Sequence, residues 1–98
     1  MAKSHAGAME LRRVLRLFGL FGHSIRVVIV QRLARQPGTA GELAKTLPVS
    51  RSAIVQHLKL LERAGLVHAC HEGRRRVYHV SPQGFAPISH WIAKICAG

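Results

Sequence analysis

The sequence predicts a mostly α-helical domain with one small β-hairpin, in the order α-α-α-α-β-β-α. Three observations carry that prediction. Apolar residues return at spacings of three and four in five separate stretches. Two short runs, Val67 to His71 and Arg75 to Val80, flank a Glu72-Gly73 turn. Pro37-Gly38, Pro48, Ala64-Gly65 and Ser81-Pro82 separate the stretches with residues that end or start helices. A chain of 98 residues holds one domain with a small core. The periodic part spans residues 8–96, preceded by a tail over 1–7 that carries no pattern and is expected to be flexible.

The first helix is expected over Ala8 to Leu20, where Leu11, Val14, Leu15 and Phe18 share one side and Arg12, Arg13 and Arg16 the other. Gly19 and Gly22 interrupt it. Ser24 is placed to cap a second helix, Ile25 to Arg35, with Ile25, Val28, Ile29 and Leu33 turned inward. The third helix is short. Thr39-Ala40-Gly41-Glu42 has the spacing of a capping box, in which Thr39 and Glu42 satisfy each other's free amides. Leu43, Ala44 and Leu47 form its buried side, and Pro48-Val49 is a tight link onward.

The fourth helix starts at the N-cap Ser50 and ends at Ala64-Gly65, where glycine accepts the left-handed cap. At about 100° per residue, Arg51, Ser52, Val55, Gln56, Lys59, Glu62 and Arg63 fall within roughly 140° of one another. Ala53, Ile54, Leu58, Leu60, Leu61 and Ala64 take the other side. One face is for a core and the other is cationic and rich in hydrogen-bond donors. In the hairpin that follows, Arg74, Arg75 and Arg76 sit at the tip and just after it. Ser81 as cap and Pro82 in the first turn begin the last helix, along which Phe85, Ile88, Ile92 and Ile95 form a stripe beside Trp91.

Charge narrows the partners. Fifteen Lys and Arg stand against four Glu and no Asp, a formal net charge of +11. Such an excess favours a polyanion, nucleic acid before acidic membrane. The four glutamates are scattered and offer no carboxylate pair, and there is neither a nucleophile elbow nor a phosphate-binding glycine loop. The chain therefore reads as a binding protein and not an enzyme. No apolar run reaches the roughly 18 residues of a membrane span, and the first residues lack a secretory core, so the expected location is the cytoplasm with no membrane partner. Cys70 and Cys96 form no spaced framework.

Two helices joined by so short a turn, the second with a polar outer face, make a helix-turn-helix. The segment SRSAIVQHLKLLERAGLVHACHEGRRRVYHV then resembles the winged helix-turn-helix of ArsR-type bacterial transcriptional regulators, through Ser50, Ile54, His57, Leu58, Leu61, Ala64, Gly65, Leu66, Val67, Gly73, Arg74 and Tyr78. The likeness covers roughly residues 10 to 95. It implies a homodimer paired through the first and last helices, a palindromic operator in double-stranded DNA, and repression by occupancy. Two apolar stripes on so small a domain fit that pairing, with Leu11, Val14, Leu15, Phe18, Ile88, Trp91, Ile92 and Ile95 as seam residues. The alternative is that one subunit buries both stripes itself.

Base readers are expected in the first two turns of the fourth helix: Arg51, Ser52, Val55 and Gln56. Arginine bonds guanine bidentately, glutamine bonds adenine, and valine touches a thymine methyl. Lys59 is placed for phosphate, and Arg74 and Arg75 for a minor groove or its phosphates. His57 falls on the apolar side and is read as packing.

The family's metal sensors carry cysteines on the helix before recognition, or Asp/His and His/Glu pairs on the last helix. Here GELAKTL has no cysteine, and the last helix offers only His90 and Cys96. Family members often open the second helix with Asp-Pro-x-Arg, of which His23-Ser24-Ile25-Arg26 keeps only the arginine. His68, Cys70 and His71 are the one cluster with metal or thiol chemistry, short of the four ligands zinc normally takes. No cofactor or metal is expected, and the residues identify no inducer. Two other classes stay open at this stage: a non-specific architectural nucleic-acid binder, and a metal- or thiol-responsive sensor of the same family.

Overall fold

The computed structural model describes residues 2–98, with side chains from Met9 onward. Five helices and a two-stranded antiparallel hairpin follow one another as α1 (Ala2–Leu20), α2 (Ser24–Arg35), α3 (Ala40–Thr46), α4 (Arg51–Arg63), β1 (Val67–Glu72), β2 (Arg75–Val80) and α5 (Ala86–Ala97). A 3₁₀ turn, Pro82–Phe85, leads into α5. This is the winged helix-turn-helix order that the sequence predicts. Helix α1 starts at Ala2, so the described backbone is already helical over 2–7, where the sequence leads to a loose tail and a helix from Ala8; the side chains there lie outside the described ones.

The core forms where α2, α3, α4 and the hairpin meet. Ile29, Leu43, Ile54, Leu58, Leu61 and Leu66 are fully buried, with Leu33, Val67 and Tyr78 beside them. Each such aliphatic side chain contributes about 1.5–3 kcal/mol relative to leaving it in water. Val28 and Leu60, expected inside, stand 39% and 37% exposed at the edges of their stripes. The close i, i+4 rows Ile25–Ile29–Leu33 and Ile54–Leu58 take the interior instead, because a helix this near the surface buries only a narrow stripe.

The helix ends also depart from expectation in two places. His23 caps α2 without a side-chain bond, and Ser24 is already its first helical residue. Ser81 does not cap a helix either: its hydroxyl lies 2.6 Å from His68 Nδ1, and its amide donates to the Leu66 carbonyl at 2.9 Å. With that serine engaged by the hairpin, the chain makes the 3₁₀ turn first, and α5 starts only at Ala86. The turn lets backbones touch. A Cβ on Gly84 would come 2.0 Å from the Gly65 carbonyl oxygen, so only glycine fits, and Gly65 itself turns at φ 77°.

The hairpin pairs Val67 with Val80 through Glu72 with Arg75. Its two-residue turn is therefore Gly73-Arg74, one residue later than the sequence placed it, with Gly73 at φ 65° in the position that wants a positive angle. Arg74 is at the very tip. At the other side β2 meets the α2–α3 link: Gly38 and Tyr78 exchange both backbone bonds, at 3.2 and 2.8 Å. That bridge fixes the wing against the helix-turn-helix.

Helix α1 packs along α5, with the Phe18 and Trp91 rings edge to face at 5.5 Å. It has two apolar sides. Val14 and Leu17 are buried at 1% and 4%, whereas Leu11, Leu15 and Phe18 remain 48%, 61% and 43% exposed. Val14 is therefore a core residue and not part of a surface seam, a correction to the single stripe drawn from the sequence. At about 100° per residue it stands roughly 60° around from Leu11, enough to turn it inward.

Candidate nucleic-acid interface

Helix α4 is started by Ser50, whose hydroxyl accepts from the Ala53 amide at 3.2 Å and lies 3.2 Å from the Ser52 hydroxyl. That cap sets the first turn, and Pro48-Val49 holds it close behind α3. Arg51, Ser52, Gln56 and Lys59 are exposed on the outer side, while Val55 is half-buried against the rim of the core. Ile54, Leu58 and Leu61 anchor the opposite side. The four exposed residues thus stand on a rigid support.

The capping box of α3 is present. Thr39 Oγ1 accepts from the Glu42 amide at 3.1 Å, and Glu42 Oε1 accepts from the Thr39 amide at 2.8 Å. The same carboxylate takes the Arg75 guanidinium, with Nη2 3.1 Å from both oxygens. The Thr39 amide and, after it, the Arg75 charge hold the Glu42 carboxyl below the usual carboxylate range, against the opposing effect of burial. Arg75 also lies 4.0 Å from Glu72. It ties the wing to α3 and does not extend freely from it, as the sequence had it doing. Arg76, next along, stacks over Tyr78 at 5.5 Å, donates to its hydroxyl at 3.0 Å and pairs with Glu62.

Between α3, α4 and the wing lies a concavity of about 800 Å³. Its two acids, Glu42 and Glu62, are both engaged by wing arginines. Among the described residues, no acidic side chain pairs with Lys45, Arg51, Lys59 or Arg74, and all four are exposed. Unopposed cations on the two sides of one groove give a focused positive field. Of the residues that the sequence singles out, Arg51, Val55, Lys59, Arg74 and Arg75 line this concavity, whereas Ser52 and Gln56 are exposed on α4 outside its lining.

Behind the helix is a contact that sequence reasoning missed. Arg26 Nε donates to His57 Nδ1 at 3.1 Å, and Arg26 Nη1 donates to the Leu20 carbonyl at 3.2 Å. His23 packs 6.0 Å from His57, ring to ring. Burial first, then the charges of Arg26 and His23, lower the His57 pKa. This network joins the end of α1, α2 and α4. His57 and Arg26 each matched the family pattern, but 31 residues apart no local signal connects them.

His68 is stacked on its cross-strand neighbour His79 at 5.2 Å, and Cys70 and Cys96 are exposed. Among the described residues no three His, Cys, Asp or Glu side chains lie together in a way that could hold a metal. None of the helices described is by itself long and apolar enough to cross a membrane.

A helix-turn-helix domain family matches residues 21–69, which is half of the chain. Over 63 residues the chain is 52% identical to the HTH-type transcriptional regulator Rv2034 of Mycobacterium tuberculosis, covering 64% of this chain and 59% of that protein. The chain thus spans less than two thirds of this relative's length. Among solved structures, an ArsR-like transcriptional regulator from Rhodococcus sp. RHA1 superposes with a TM-score of 0.78 at 30% identity, covering 89% of this chain and 82% of that one. Reduced HlyU from Vibrio cholerae superposes with a TM-score of 0.70 at 26% identity, covering 98% and 99%.

Proposed function

Because the chain belongs to the ArsR-type winged helix-turn-helix transcriptional regulators, we propose that it is a homodimeric repressor that occupies a palindromic operator. The observation that carries this is the groove between α4 and the wing, where among the described residues Lys45, Arg51, Lys59 and Arg74 have no acidic partner. In this reading the first two turns of α4 enter the major groove. Arg51 bonds guanine, Gln56 adenine, Ser52 a base edge or sugar, and Val55 touches a thymine methyl. Lys59 meets phosphate, and Arg74 reaches the flanking minor groove from the wing tip. Arg75 has the different role of holding the wing at its angle through Glu42. No catalytic step enters, and the site of action is the cytoplasm.

Two copies are needed for a palindrome, and α1 and α5 supply the surface. Leu11, Leu15, Phe18, Ile92 and Ile95 are 43–62% exposed, with Ile88 and Trp91 half-buried between them. Large apolar side chains grouped on two packed helices favour a twofold mate. Pairing there would set two α4 helices on one side of the duplex, about one helical turn of roughly 34 Å apart.

The test is selection of bound duplexes from a random pool, followed by competition of the winner against bulk DNA at rising salt. A specific regulator keeps its preferred duplex and returns a sequence with twofold symmetry. Loss of all preference with salt would mark a charge-only binder and overturn the proposal.

A further inference from the structure

A second concavity, of about 600 Å³, lies between α1, the end of α4, the 3₁₀ turn and α5. We propose that it is an effector site for a small amphipathic organic anion, of the aromatic-carboxylate type; the regulatory half of this inference rests on the repressor reading above. Its size falls within the few hundred to about 1,000 Å³ of small-molecule pockets. Its apolar wall is Leu17, Ala64, Ala86 and Pro87. Gly84 also lines it, and because a Cβ there would meet the Gly65 carbonyl, that stretch of wall stays bare of a side chain.

The charge around that wall is one-sided. Arg13 and Arg16 come from α1, Arg63 from the last turn of α4, and His90 from α5. Among the described residues none of these three arginines has an ion-pair or hydrogen-bonded partner. The single acid at the rim, Glu10, is taken by Lys94 at 3.5 Å. Guanidiniums around an apolar wall select a ligand with a flat or chain-like apolar body and a carboxylate end. Inorganic anions have no use for the wall, and neutral hydrophobes none for the arginines.

The pocket also stays open in the proposed dimer. At about 100° per residue, Leu11, Leu15 and Phe18 lie within roughly 60° of one another, and Met9, Arg13 and Arg16 lie roughly 140–200° around from Leu11. On α5 the same arithmetic puts Ala86 and His90 roughly 160–200° from Ile88, which heads the Ile92 and Ile95 stripe. Both helices thus show one side to a mate and the opposite side to the pocket. Arg63 and Ala64, at the end of α4, are part of the wall. A ligand drawing Arg63 toward α1 and α5 interacts differently with different α4 placements, which is the condition for shifting duplex affinity.

The experiment titrates the full chain, free of DNA, with 1-naphthoate, with 1-naphthalenemethanol as its uncharged counterpart and with inorganic phosphate, by calorimetry. Saturable binding of naphthoate near one per chain, weakened about tenfold or more in Arg13→Gln/Arg63→Gln and absent for the alcohol and phosphate, is expected. Equal binding of the alcohol, equal binding of phosphate, or unchanged binding in the double variant overturns the site. The second arm measures affinity for the selected duplex with and without saturating naphthoate. A change that disappears in the double variant supports the effector role, and no change overturns it. If no duplex is preferred at all, the repressor reading fails while the calorimetric result still decides the site.

Discussion

Acidification should loosen this domain through one residue, His57. Its Nδ1 accepts the Arg26 Nε proton at 3.1 Å, which requires a neutral imidazole with that nitrogen bare. Protonation converts the acceptor into a donor and sets a second cation against Arg26, with His23 6.0 Å away. Burial, then Arg26 and His23, hold the folded pKa below the ordinary histidine value. The unfolded chain therefore binds more protons in this window, and stability rises with pH through it. The contribution is fully present above the unfolded pKa of about 6.5 and is lost as pH falls through the lower folded value. A hydrogen bond from a charged donor is worth about 1.5–3 kcal/mol, reduced to about 1 kcal/mol here because the contact is only partly buried. For a domain of this length that is a fall in Tm of about 4–8 °C. The assay is thermal unfolding by circular dichroism at about pH 7.5 and about pH 5.5, comparing the native chain with His57→Gln. The glutamine oxygen can still accept from Arg26 but does not titrate. The six other histidines are common to both proteins, so the difference between the two pH slopes isolates His57. Identical slopes would refute the reasoning.

Three further outcomes follow from the same geometry. Arg51→Ala should reduce the preference for operator over random duplex by about 1–3 kcal/mol, read by competition binding; an equal loss on both duplexes would contradict base reading. Arg74→Ala should lower the slope of log affinity against log salt by about one, whereas Arg75→Ala, whose cation is already matched by Glu42, should change the slope less, as salt titrations of both variants would show. Ile92→Glu, at a position 46% exposed on α5, should leave the fold intact by circular dichroism yet give monomers in sedimentation; an unaltered dimer would rule that face out.

Most of the element order was legible because its signals are local. The Thr39–Glu42 box, the Ser50 cap, the Gly65 turn and the burial of Leu58 and Leu61 behind α4 each act within a few residues, and all four are present as read. Local reasoning went astray where a residue's partner comes from elsewhere in the chain. Ser81 has the composition of a cap but is taken by His68, and Ser24 gives up its cap position to His23. Arg75 looks like a free wing cation until the fold brings Glu42 beside it, 33 residues back.

Periodicity shows how many apolar rows a helix carries but not which row faces its own chain. Val14 and Leu11 belong to neighbouring rows of α1, and only the packing of α1 on α5 decided that one is buried and the other left bare. Thus composition, caps and spacing were enough for a cationic winged helix-turn-helix with Arg51, Gln56 and Lys59 on its outer face. The docking of the wing through Gly38–Tyr78, the Arg26–His57 tie and the pocket beside Arg63 needed the folded chain. The physical reason is range: a cap or a helical stripe is set within one or two turns, whereas an ion pair or a pocket wall exists only after distant segments have been brought within a few ångströms by the burial of the core.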